Sequence, residues 1–137
     1  MRQDCFDFLK ALSEGADYDP YKTPDGFLDI VPKPVGWRIL IVPYVGEEKT
    51  ESGIILTSET KSVHKCNTHV GRVIGCGEDA YEDKARFPGG KWCSIGEFVV
   101  FGKYSGSMFD IGGTQVRILN DEEVLGIISD PTLITNL

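Results

Sequence analysis

Between Gly36 and Ile128 six short apolar runs, none with helical spacing, are separated by glycine-rich or polar stretches. Strands recur with period two or as short solid apolar runs, whereas an amphipathic helix needs apolar residues three and four apart. The runs are Trp37–Val42, Val70–Ile74, Glu97–Phe101, Ser107–Ile111, Thr114–Leu119 and Val124–Ile128. Gly112-Gly113 stands alone between the fourth and fifth, which is the signature of a two-residue hairpin. Six such strands in a chain of 137 residues predict an all-β barrel or sandwich. Apolar residues make up 41% and charged residues 26%, enough to fill one core.

Residues 1–32 read differently. Cys5, Phe6, Phe8, Leu9 and Leu12 lie near helical spacing and Gly15 follows as a stop, predicting a short amphipathic helix. Pro20, Pro24, Pro32 and Pro34 then mark an extended tether. The composition favours a loosely attached arm. The alternative is that the apolar stripe docks on the β body or on a neighbouring subunit, because Phe6 and Phe8 are poorly placed in water. The expected organisation is an arm over residues 1–32, a β domain over 33–130 and a tail over 131–137.

The segment between the first two strands, EEKTESGIILTSETKSVHKC, is too long and too polar for an ordinary connection. Its one apolar island is Ile54-Ile55-Leu56, introduced by Gly53. Two readings stand: a short edge strand lying on the barrel, or a mobile recognition loop that orders on a partner.

Several classes are disfavoured. The formal charge is −7, from 14 basic and 21 acidic residues, which argues against nucleic acid as a partner. No apolar run reaches the roughly 20 residues of a membrane helix. The first 15 residues carry acids within their apolar stretch and lack a small-residue cleavage site, so no secretory signal is expected. Cys5, Cys66, Cys76 and Cys93 form no CxxC pair, and reduced thiols in a cytoplasm are expected. His64, Cys66, His69 and Cys76 match no common zinc spacing, so no metal and no cofactor are expected. Gly75-Cys76-Gly77 and Gly112-Gly113 precede no helix and are turns rather than phosphate cradles. Asp121-Glu122-Glu123 reads as a solvated turn, and no catalytic residues are expected.

Five segments, in order, resemble one family. Lys33-Pro34-Val35-Gly36-Trp37-Arg38-Ile39-Leu40-Ile41 is similar to the first strand of the small co-chaperonins, the GroES family. Gly53-Ile54-Ile55-Leu56 is similar to the glycine and hydrophobic tripeptide of that family's mobile loop. Thr68–Gly77, Ser94–Phe101 and Asn120–Ile128 resemble its later strands. The resemblance covers about residues 33–129. It implies a partly open β-barrel with a roof hairpin and a long mobile loop. It also implies a co-chaperonin lid without catalytic residues of its own, a seven-subunit ring that caps a nucleotide-bound GroEL-type chaperonin over an unfolded client.

On that resemblance Gly53, Ile54, Ile55 and Leu56 are the chaperonin-binding residues. Trp37, Ile39, Ile41, Val124, Leu125 and Ile127 are the subunit interface, and the polar stretch Glu78–Cys93 is the roof hairpin. Tyr104 is either an aromatic facing the chamber or an ordinary loop tyrosine. The arm and the longer, more aromatic 78–93 segment depart from the common bacterial form and resemble co-chaperonins of tailed bacteriophages. Two alternatives share the β expectation. One is a structural or adaptor ring without a chaperonin partner. The other is the GroES-like domain of alcohol dehydrogenases, which needs zinc ligands and a dinucleotide-binding domain that are not found here.

Overall fold

The computed structural model describes residues 2–45 and 68–134. Two helices come first, α1 (Arg2–Ser13) and the single turn α2 (Phe27–Ile30). Six strands follow: β1 (Arg38–Pro43), β2 (Thr68–Cys76), β3 (Phe98–Gly102), β4 (Ser107–Ile111), β5 (Thr114–Asn120) and β6 (Val124–Ile128). They form one antiparallel sheet in the order β4-β5-β1-β2-β3-β6. Among the described residues the sheet is not closed, because β4 and β6 are its two ends. It is a partly open barrel, bent where the register shifts between Leu40 and Ile41 and between Val100 and Phe101.

β1 is an internal strand, flanked by β5 on one side and β2 on the other. Alternate residues of a strand face opposite ways, and here both faces are covered. Ile39 and Ile41 enter a core with Val73, Val99, Phe101 and Leu119. Leu40 and Val42 enter a second core with Ile74 and Val116. Gly71 of β2 makes the first core possible, since a Cβ there would overlap Ile41 and crowd Phe101.

The arm builds the second core. Cys5, Leu9, Leu12, Tyr18, Phe27 and Val31 are buried in it. Phe8 meets the Phe27 ring edge-on at 4.9 Å. Two polar ties fix the arm to the sheet: Val45 N–H donates to the Ser13 carbonyl at 2.9 Å and Arg72 Nη2 to the Ala16 carbonyl at 3.0 Å; within the arm, Cys5 Sγ donates to the Asp25 carbonyl at 3.3 Å. At the β4–β5 hairpin Gly112 (φ 57) lies over Phe6, whose ring atoms a Cβ would meet at 2.6 Å. The loosely attached arm is therefore not what forms. The sheet has an apolar outer face at Leu40, Val42, Ile74 and Val116, and the stripe of α1 covers it.

The stretch expected to be a polar roof hairpin is also different. Residues 77–97 contain turns and no strand. Ala80, Tyr81, Phe87 and Cys93 fold inward and join the first core. Their side chains outweigh the surrounding polar residues, so the segment closes over the sheet instead of standing up from it.

Candidate functional site: the β6 edge and its aromatic flank

Gly53, Ile54, Ile55 and Leu56 lie outside the described residues, as do His64 and Cys66. The expected interface residues separate into two groups. Ile39 and Ile41 are fully buried within the chain's own core and Val124 is nearly so. Because β1 is paired on both sides, it offers no edge to a neighbour, and the expectation that Ile39 and Ile41 reach across an interface is corrected accordingly. Trp37, Leu125 and Ile127 remain at the surface, with 47%, 66% and 49% of their areas exposed. Leu125 and Ile127 alternate with the less exposed Val124, Gly126 and Ile128, so β6 turns an apolar row outward along the end of the sheet.

Asp121 builds the ground beneath that row. It opens the short turn Asp121–Glu123 just before β6, and its carboxylate is buried. Tyr81 N–H donates to Oδ2 at 3.0 Å and Arg86 Nη2 to Oδ1 at 2.8 Å. The Tyr81 hydroxyl donates to the Asp121 carbonyl at 2.8 Å, and Asp121 N–H donates to the Trp37 carbonyl at 3.0 Å. These bonds hold Tyr81 at φ 61, a left-handed conformation costly for a tyrosine. The acidic run read as a solvated turn thus contains a buried anchor. What gave no signal in the sequence was the partner 40 residues away.

Around Tyr81 the aromatics stack. Phe87 meets it edge-on at 4.9 Å, and Trp92 meets Phe87 edge-on at 4.8 Å. Trp92 stays 43% exposed and borders an open groove with Glu122, Val124, Leu125, Gly126 and Ile127. Cys93 Sγ lies 3.5 Å from the Tyr81 hydroxyl. Burial raises the pKa of Cys93 and of Tyr81, and burial together with nearby Cys93 raises that of Cys76 to about 11. These thiols are protonated and poorly nucleophilic at neutral pH.

Tyr104 sits in the turn after β3, 76% exposed, with Lys103 Nζ 5.4 Å from its ring centre. The turn is held from below by Arg117, a buried cation that the sequence reading missed. Its Nη1 donates to the Lys103 and Ser105 carbonyls at 2.6 and 3.1 Å, and its guanidinium lies 5.2 Å from the Phe101 ring centre. Burial lowers the Arg117 pKa, and backbone carbonyls supply the acceptors that a buried cation requires. Among the described residues no group of three His, Cys, Asp or Glu could hold a metal ion, and no helix is long and apolar enough to cross a membrane.

The family model of the chaperonin 10 kDa subunit matches residues 32–128, which takes in every strand of the described residues. The chain belongs to the Cpn10 family. The co-chaperonin GroES of Fusobacterium nucleatum subsp. nucleatum is 35% identical over 96 residues, covering 70% of this chain and 96% of the relative. Those of Cereibacter sphaeroides and Rhodopseudomonas palustris are 32% identical over 97 residues, covering 71% of this chain and 97% of each relative. The arm lies before the matched region, so the element that completes the second core is an addition to the family domain.

Proposed function

We propose that this chain is a co-chaperonin that caps a nucleotide-bound GroEL-type chaperonin and encloses an unfolded client for ATP-dependent folding. The observation that carries this reading is the match to GroES co-chaperonins along nearly their whole length. The hydrophobic tripeptide Ile54-Ile55-Leu56, after Gly53, falls between β1 and β2 and is the contact with the chaperonin. Burying each of these side chains is worth about 1.5–3 kcal/mol, and ordering the loop consumes several kcal/mol of it. A single loop then binds weakly, and a ring of seven gains its grip from effective concentration while keeping release possible.

The ring closes head-to-tail. The approach to β1, with Trp37, meets β6 of the neighbour at Leu125 and Ile127, a heterologous contact that closes if the rotation allows. Tyr104, on its Arg117-braced turn, faces the chamber. The chain has no catalysis of its own, and the ATPase is the partner's. It works in the cytoplasm, a bacterial host's if it is phage-encoded. Native mass spectrometry with chaperonin, with and without ATP, tests the reading: a nucleotide-dependent complex with seven copies is expected, and no complex in either condition overturns it.

A further inference from the structure

The last four carbonyls of a helix have no partner within it. In α1 three of them are satisfied by the arm itself. Glu14 N–H donates to the Lys10 and Ala11 carbonyls, Gly15 N–H to Leu12 and Ala16 N–H to Ala11, at 3.0–3.2 Å. Gly15, at φ 101, makes the left-handed turn that ends the helix. The fourth carbonyl belongs to Ser13, which is buried, and its donor comes from far along the chain: Val45 N–H, at 2.9 Å. Releasing that bond would strand a buried carbonyl, which keeps it closed.

Val45 is the last described residue before the connection from β1 to β2. Tyr44 N–H donates to the Val70 carbonyl of β2 at 2.7 Å, so the sheet holds the chain as far as Tyr44 and the arm holds the next residue. The Val45 side chain is half exposed. The arm touches Tyr44 as well, because Gly15 lies against its ring, which a Cβ at 15 would meet at 3.2 Å. That ring packs edge-on against Phe98 at 6.3 Å. From β2, Arg72 holds the Ala16 carbonyl and lays its guanidinium 3.9 Å from the Phe98 ring centre. The end of α1 is thus fixed on two sides, and residues 1–31, which supply the acceptor for Val45, precede the region matched by the family model.

We propose that the C-terminal end of α1 is a positioning element for the chaperonin contact: the Ser13 carbonyl fixes Val45, and with it the point at which the chain leaves the sheet toward Ile54-Ile55-Leu56. This rests on the chaperonin reading above. A restraint in place before binding need not be imposed during it, so the tie raises affinity without touching the chaperonin. A ring multiplies a small gain per loop.

The test uses the full chain with the Val45 backbone amide replaced by an ester, which removes the N–H donor and keeps every side chain. Its control is Val99→Ala, which truncates a fully buried side chain of the first core, away from the arm, and lowers stability by another route. Affinity for a GroEL-type chaperonin in ATP is measured beside sedimentation and melting temperature. The expected result is an ester chain that forms the same oligomer and binds about tenfold more weakly, a modest loss per loop compounded over the ring, while Val99→Ala binds as the unaltered chain does. Equal binding by the ester chain overturns the inference, and so does an equal loss in Val99→Ala, which would assign the effect to stability; both leave the co-chaperonin reading standing. Should the ester chain fail to fold, hydrogen exchange of the Val45 amide in the unaltered chain decides: protection before the chaperonin is added is expected, and exchange at the rate of an unstructured chain overturns the inference. An unaltered chain that binds no chaperonin in ATP overturns both.

Discussion

Nη2 of Arg86 donates to the buried carboxylate of Asp121 across 2.8 Å, and this pair joins the 77–97 segment to the head of β6. Arg86 is partly exposed while Asp121 is not, so the two are not equivalent. Removing Arg86 leaves a buried carboxylate short of its counter-charge. Arg86→Ala is expected to cost about 3 kcal/mol, the low end for a broken buried pair because water reaches one side. In an Asp121→Asn background the same change is expected to cost much less. Urea unfolding of the double-mutant cycle measures the difference, and equal costs in both backgrounds contradict the assignment.

Leu9 of α1 is fully buried in the second core, at the heart of the arm's contact with the sheet. Leu9→Ala is expected to destabilise the protein by about 2–5 kcal/mol, as for other buried leucines. Deleting residues 1–31 exposes Leu40, Val42, Ile74 and Val116 together, and is expected to lower the melting temperature further and promote aggregation. A melting temperature unchanged by both alterations contradicts the docked arm.

The strands were legible because their apolar runs are short and their turns are marked. Ser107–Ile111 and Val124–Ile128 form over the residues expected, and Gly112-Gly113 makes the hairpin between β4 and β5. The helix was legible from the spacing of Cys5, Leu9 and Leu12, but its docking was not, since a stripe of that size is compatible with either state. A signal for docking was nevertheless present. Ile39–Val42 is a solid apolar run, which suits a strand covered on both faces, and the β domain alone supplies only one cover. The position of β1 inside the sheet, which removes Ile39 and Ile41 from the surface, depends on pairing order, and periodicity carries no information about order. The inward fold of 78–93 was obscured by averaging: its polar residues dominate the composition, while Tyr81 and Phe87 dominate the energetics.

Alkaline pH should destabilise the protein. Burial raises the Cys76 thiol from 9.0 to about 11, and burial also raises Cys93 and Tyr81. In the unfolded chain these groups lose protons first, so between those values the folded state holds more protons and stability falls with rising pH. The contribution of Cys76 is present in full below its ordinary value and is lost as pH climbs to about 11. Melting temperature followed through that window should decline, and Cys76→Ala should decline less steeply. Identical slopes for the two proteins contradict the buried-thiol account.

The central claim is that this chain caps a chaperonin through Ile54-Ile55-Leu56. Ile55→Asp would bring a charge into an apolar groove without a partner, and a ring multiplies that loss over every loop. The most direct measurement is co-sedimentation with a GroEL-type chaperonin in ATP, comparing the unaltered chain with Ile55→Asp. The account predicts that the unaltered chain binds only with nucleotide, and that Ile55→Asp forms the same free oligomer yet fails to bind. Equal binding by Ile55→Asp would contradict it.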